Sequence, residues 1–380
     1  MSKISYKIKH IDICYILSII LVMNTPELSI IIPVYNGQDY IVRCVDSIMR
    51  QKDSDKYEII IIDDGSNDDT PKILDAAANL YKNVRVIHQK NSGVSVARNN
   101  GIAASHGKYL TFVDADDMVG LKESAFDKYF ISPSSVSTIG NMNITTANNV
   151  LPLITNAHFD NGYFVNMLRA AKDTNAEVVL GGKITVNRNE IYMRRHVYEN
   201  DFLYDIAPDH KDILLRQTDR RENANFALYN RKMLDKHNLR FMANMKLDED
   251  MLFCMLAVLY AEHVATVKDV TYFYNRHENT LSNIVDYNEK MEKQKIADIR
   301  RFSYLLNKLG QMPQYSKSFT YWTKEYSKKG TKYIHDTGDF PSKDCYYICG
   351  ESECTGCFIA DAMREQFKTN IEKYVMHKTK

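Results

Sequence analysis

The heptapeptide FVDADDM, residues 112–118, sets Asp114, Asp116 and Asp117 together behind the apolar run YLTFV. Carboxylates at contact distance raise one another's pKa values, so this crowding costs free energy unless a positive partner is present. A divalent cation is one such partner. Mg²⁺ or Mn²⁺ is typically held by one or two carboxylates plus phosphate oxygens of a substrate. In an extended segment Asp114 and Asp116 point the same way, because side chains alternate with period two. One carboxylate could then take the metal and the other a hydroxyl or a water. The competing reading is an acidic turn capping a helix, DDMVGLKESAFDKYF.

A second acidic stretch, IIIIDDGSNDDT, places Asp63 and Asp64 at the end of another apolar run, with Gly65 and Ser66 allowing a tight turn. Neither G-x-G-x-x-G nor G-x-x-x-x-G-K-[ST] is present, so a dinucleotide fingerprint and a P-loop are both excluded. A carboxylate here can instead accept a hydrogen bond from a nucleobase N–H or a ribose hydroxyl. The bland reading is an acidic loop capping the helix after Pro71.

These acids need a scaffold, and the pattern around them supplies one. LSIIIPV (28–34), YEIIIID (57–63), VRVIHQ (84–89) and KYLTFVDADD are apolar strands. Between them lie helices through YIVRCVDSIMRQ, 71–81 and GVSVARNNGIAASHG. Strands apolar throughout, alternating with helices, indicate a parallel sheet covered on both faces. Ligands bind at the carboxyl edge of such sheets, so Tyr35, Asp63, Asp64, Arg98 and the Asp114 cluster are expected in one crevice. Further along come a helix near 159–174, a strand at AEVVLGG and a largely buried helix in DEDMLFCMLAVLYAEHV.

The segments LSIIIPVYNGQDYIVRCVDSIMRQ, EIIIIDDGSNDDT, NSGVSVARNNGIAASHGKYLTFVDADD and LDEDMLF resemble the inverting GT-A glycosyltransferases of family 2, of the non-processive bacterial type. The resemblance is dense over 26–120 and thinner over 223–282. It implies an α/β fold: a Rossmann-like, mostly parallel sheet with helices on both faces, plus a C-terminal helical extension. The implied organisation is an apolar extension at 1–25, a GT-A domain at 26–283, and a helical region with a Cys-rich tail at 284–380. Within the domain, 26–120 would be the nucleotide-sugar half, 131–158 an insertion and 159–283 the acceptor half.

The resemblance also implies roles. Pro33 and Tyr35 would line the nucleobase pocket, with Asp63 or Asp64 binding the base. Arg98 and Asn99 would hold the nucleotide region, Asp114 the ribose, and Asp116 the Mn²⁺ or Mg²⁺ that bridges the diphosphate. LDED would supply the catalytic base, Asp250 with Glu249 beside it, and Arg276 and His277 in YFYNRHENTLS would reach the diphosphate. A base is needed because an acceptor hydroxyl loses its proton as it attacks the anomeric carbon. The implied reaction moves one sugar from a UDP-sugar to a glycan or lipid-linked acceptor in cell-surface polysaccharide synthesis. Q-x-x-R-W, common in processive members, is missing, and Trp322 sits instead in TYWTKEY. Two other readings remain: a non-catalytic nucleotide-sugar-binding scaffold, and a phosphotransfer enzyme using Asp63 or Asp64 as nucleophile.

The bulk numbers fit. The 380 residues carry a formal charge of +1, which gives no support to a nucleic-acid partner. The apolar run IDICYILSIILVM (11–23) is shorter than the roughly twenty residues that span a bilayer. The expected physiological start is Met23, since the fold begins at ELSIIIPVY, with a peripheral membrane anchor or a signal peptide as the alternatives, in a cytoplasmic protein at the inner face of the membrane. Cys14, Cys44 and Cys254 read as small core hydrophobes. Cys345, Cys349, Cys354 and Cys357 lack the paired knuckles of common zinc sites and read as free thiols, with zinc or disulfides as alternatives.

Overall fold

The computed structural model describes residues 25–120, 161–187, 192–196, 202–204, 215, most of 224–276 and parts of 301–324. The N-terminal extension, the 131–158 insertion, His277 and the C-terminal cysteine cluster lie outside the described residues.

Ten strands form one sheet: β1 (Leu28–Val34), β2 (Glu58–Asp63), β3 (Val84–His88), β4 (Tyr109–Phe112), β5 (Met118–Val119), β6 (Val178–Asn187), β7 (Tyr192–His196), β8 (Phe202–Tyr204), β9 (Ala227–Asn230) and β10 (Val264–Arg276). The order is β3-β2-β1-β4-β9-β6-β10-β5, with β7 pairing β6 and β8 pairing β10. Described helices are α1 (Ile41–Met49), α2 (Thr70–Leu80), α3 (Val94–Ala104), α4 (Tyr163–Thr174), α5 (Arg231–Lys236) and α6 (Glu249–Tyr260).

Parallel pairing holds across β3, β2, β1 and β4, and again between β6 and β10. The sheet as a whole is mixed, because β9 lies antiparallel between β4 and β6. The antiparallel β9, which the sequence pattern does not announce, returns β6 and β10 to the direction of β4. The carboxyl ends of all the parallel strands therefore share one edge.

The unbroken apolar runs follow from burial on both faces. Along β1 and β2, Ile30, Ile32, Ile59 and Ile61 pack with α1 and α4, whereas Ile31 faces the core formed with α5 and α6. Ile60 and Ile62 pack against Ala97 of α3. Burial of each such side chain contributes roughly 1.5–3 kcal/mol. Helix α6 is apolar around its whole circumference, with Leu252 through Leu259 all buried. Such a helix must be covered on every side. The sheet and Phe241 cover one side, while Leu305, Leu306, Leu309 and Trp322 of the C-terminal region belong to the same core. Among the described residues, no helix is long and apolar enough to cross a membrane.

Small residues on α3 let it approach the sheet closely. A Cβ built at Gly101 would overlap Ile31 Cγ2. Gly101→Ala is expected to destabilise the fold by about 1–3 kcal/mol, read as a lower midpoint of urea unfolding.

Candidate active site

The carboxyl ends of β1, β2 and β3 are in register, Val34 beside Asp63 and Asp63 beside His88. Two loops leave this edge and are sewn together. Asn36, in the left-handed region at φ 51°, accepts the Asn67 N–H at 2.8 Å and donates its own N–H to Ser66 Oγ at 2.9 Å. The Gly37 N–H donates to Thr70 Oγ1 at 2.8 Å. Pro33 is buried inside β1, and Tyr35, the next residue but one, is 49% exposed.

The paired acids at the end of β2 are engaged with the protein. Asp64 accepts Gln89 Nε2 and the Ser92 N–H at Oδ1, and the Gly93 N–H at Oδ2, each at 2.8 Å. Asp63 accepts the Ser66 N–H at 3.0 Å and meets His88 Nδ1 at 2.7 Å. Burial pushes the Asp63 carboxyl up, but Ser66 and His88 outweigh it and hold it below its ordinary value. The Asp63 contact in turn raises His88. Both acids therefore shape the loops around Tyr35.

The DADD segment is not an extended strand. β4 ends at Phe112, and the Asp117 N–H donates to the Asp114 carbonyl at 3.0 Å, closing a turn. The period-two expectation for Asp114 and Asp116 therefore gives way to turn geometry. Asp117 is fully buried and leads into β5, so within the described residues it starts no helix. It accepts the Tyr272 hydroxyl at 2.6 Å and the Asn275 N–H at 2.8 Å. Burial, with the Asp116 and Asp114 charges, pushes its carboxyl well above the usual carboxylate range. Asn275 Nδ2 also donates to the Asp116 carbonyl at 3.0 Å, and Asp116 is half-exposed.

Arg98, on α3 and only 3% exposed, ties this turn to α6. Its Nη2 donates to Asp114 Oδ1 and its Nη1 to Glu249 Oε1, both at 2.8 Å. The guanidinium carbon stands 5.1 Å from the centre of the Phe241 ring. Asn225, just before β9, donates to the other Asp114 oxygen at 2.5 Å. Asn99 is occupied differently from the expectation. Its Oδ1 accepts the Phe241 N–H and its Nδ2 donates to the Phe241 carbonyl, both at 2.8 Å, so its amide docks the chain before α6 and leaves the nucleotide to others.

The LDED segment opens α6. Asp248 sits in the left-handed region at φ 59°, ψ 17°, and Glu249 and Asp250 are the first helical residues. Glu249 is buried against Arg98, a poor position for a base and a correction to its expected role. Asp250 is half-buried. Burial and the Glu249 charge raise its carboxyl, Arg98 opposes them, and the outcome is a pKa of about 7. Arg276 ends β10 at the same edge, with its side chain outside the described residues.

Among the described residues, Asp63, Asp64, Asp114 and Asp116 lie at or just after the carboxyl ends of their strands, and Arg98 joins Asp114 to Glu249. Asn225 lies outside the motifs quoted above, and Asp117, Tyr272 and Asn275, though within DADD and YFYNRHENTLS, gave no sign in the sequence that they pair with one another. Arg98→Met should cost about 3–5 kcal/mol of stability, because it strands two acids on one side of a buried pair. Glu249→Gln, which keeps a hydrogen-bond acceptor, should cost less, and urea unfolding of both variants checks the order.

With this geometry in view, residues 29–120 match the family model described as glycosyl transferase family 2. EpsH of Bacillus subtilis (strain 168), a glycosyltransferase by name, is 27% identical over 301 residues, 78% of this chain and 73% of its own length. A poly(ribitol-phosphate) beta-glucosyltransferase of Bacillus spizizenii (strain ATCC 23059 / NRRL B-14472 / W23) is 27% identical over 251 residues, 65% of this chain and 32% of its own. Among solved structures, residues 1–349 of S. aureus TarS in complex with UDP-GlcNAc align with a TM-score of 0.54 at 16% identity. That alignment covers 86% of this chain and 92% of TarS 1–349, and it shows the shared GT-A fold. Over residues 29–120 the chain thus matches glycosyl transferase family 2, and along most of its length it is similar to proteins named as glycosyltransferases and shares their GT-A fold.

Proposed function

We propose that the protein is a metal-dependent inverting glycosyltransferase, moving one sugar from a UDP-sugar to a hydroxyl of a cell-surface glycan or lipid-linked acceptor. The observation that carries this is the Arg98 bridge, which brings the start of α6, and with it Asp250, within one guanidinium of the Asp114 turn. The donor and a base are thereby held on the same edge. UDP and a surface-glycan acceptor find support in what the relatives are named for and in the ligand of TarS.

The exposed Tyr35 ring offers a stacking face for the nucleobase beside Pro33. Asp64 Oδ2, which accepts the Gly93 N–H, has a further lone pair for a base N–H. Asp114, fixed by Arg98 and Asn225, presents its turn to the ribose. Arg276 ends β10 at the edge, and it and the next residue in sequence, His277, are the cations proposed to meet the diphosphate. The domain limits at 26–283 and the cytoplasmic setting at the inner membrane face belong to the same proposal.

The donor set of the DADD turn fits a hard divalent ion at Asp116. Asp114 and Asp117 are bound to the protein through both oxygens, and Asp116 lies half-exposed between them. Among the described residues no three His, Cys, Asp or Glu side chains gather as a metal centre. The ion would therefore be shared between Asp116 and diphosphate oxygens. When bound, Mn²⁺ or Mg²⁺ supplies charge compensation for the leaving diphosphate.

Asp250 takes the proton from the acceptor hydroxyl as its oxygen bonds to the anomeric carbon and the bond to the diphosphate breaks. Because this base must be ionised, kcat/KM should rise with pH through an inflection near 7. Asp250→Asn should lower transfer by about 10²–10⁴-fold while UDP binding, measured by calorimetry, persists. Asp116→Asn and addition of EDTA should each abolish Mn²⁺-dependent UDP release from a panel of UDP-sugars. No metal-dependent UDP release from the native protein would refute the function.

A further inference from the structure

The C-terminal region carries no motif of the family, yet one of its residues reaches the turn that bears the base. Arg301 is 2% exposed. Its Nη1 donates to Asp248 Oδ2 at 3.0 Å and lies 2.6 Å from Met251 Sδ. These two contacts bracket Glu249 and Asp250. Leu305, Leu306, Leu309 and Trp322, buried in the core around α6, hold the Arg301 segment in place.

Asp248 starts the helix from an unusual backbone conformation. Its left-handed conformation, φ 59° and ψ 17°, is one that residues with a Cβ adopt reluctantly. Its side chain makes no capping hydrogen bond to α6 and is engaged by Arg301 instead. The Asp248 carbonyl accepts the Leu252 N–H at 3.0 Å, the first bond of the helix. The backbone angles at Asp248 therefore set the direction in which the first turn projects Asp250. On the other side of the turn Arg98 holds Glu249. Two buried arginines, one from each end of the chain, thus grip the residues immediately before Asp250.

We infer that Arg301 is a positioning residue for sugar transfer: by gripping Asp248 and Met251 it holds the left-handed turn that aims Asp250 at the acceptor hydroxyl. This rests on the reading of Asp250 as the base. It makes the C-terminal region a structural part of the active site, and it predicts an effect on kcat separate from donor binding.

Steady-state kinetics and UDP calorimetry on the full chain with Mn²⁺ test it. Arg301→Gln should lower kcat by about 10²-fold, the scale expected for a small misplacement of a reacting group, with donor KM and UDP affinity unchanged. Arg301→Lys, which keeps the charge in the core, should fall between the two and serves if Arg301→Gln does not fold. Glycine adopts the left-handed conformation freely, so Asp248→Gly should make the turn independent of Arg301. In that background Arg301→Gln should cost less than about threefold, a coupling that a double-mutant cycle measures. Equal losses in both backgrounds, an unchanged kcat, or a loss shared equally by UDP affinity would overturn the proposal. Retained activity in Asp250→Asn would instead overturn the assignment of the base.

Discussion

A single buried guanidinium sets the terms for this site. Arg98 stays charged under all accessible conditions, and removing it from water is costly unless anions and hydrogen bonds compensate. Asp114 and Glu249 supply both, each at 2.8 Å. The planar fork of arginine lets one side chain bind two carboxylates in fixed directions, which a lysine ammonium would not reproduce. Because Asp114 belongs to the turn after β4 and Glu249 to the start of α6, satisfying one charge docks two segments 135 residues apart in sequence. Close packing of α3 on β1 at Gly101, and the pairing of Asn99 with Phe241, keep Arg98 where both acids can reach it.

That arrangement divides the acids into two groups. Asp114, Asp117 and Glu249 are held by Arg98, Asn225, Tyr272 and Asn275 and give the site its shape. Asp116 is half-exposed, and Asp250, which accepts the Met251 N–H at 2.7 Å, has its proton affinity lifted toward neutrality. Neighbouring acids such as Glu249 and Asp250 differ because Glu249 is hydrogen-bonded to the buried Arg98, whereas Asp250 feels its charge without that bond. A pKa near the working pH is what general base catalysis favours.

The same logic explains why the loops at the edge contain so many small polar residues. Asp63 and Asp64 lie at the end of a buried strand, where unpaired carboxylates would be costly. Backbone N–H groups of Ser66, Ser92 and Gly93 relieve that cost and tie the loops to the strand end.

Local pattern was enough to read the four parallel strands, the helices between them, the buried nature of α6 and the edge at which the acids collect. Apolar runs of β-branched residues, helical spacing and the period of strands are short-range properties, and burial on both faces leaves them visible. Which acid binds what was not legible. Asp117 read as a helix start and Glu249 as a companion base because neither partner, Tyr272 nor Arg98, is near in sequence. The antiparallel β9 was invisible because four residues, ALYN, carry too little period to distinguish a strand from a loop. Arg301 gave no sign of its place beside Asp248, since a lone arginine in a helical segment is ordinarily a solvated one. Residue types and spacing thus determined the fold class and the chemistry available to it. Only the tertiary structure decided which carboxylates are neutralised by buried cations, because that depends on contacts between segments far apart in the chain.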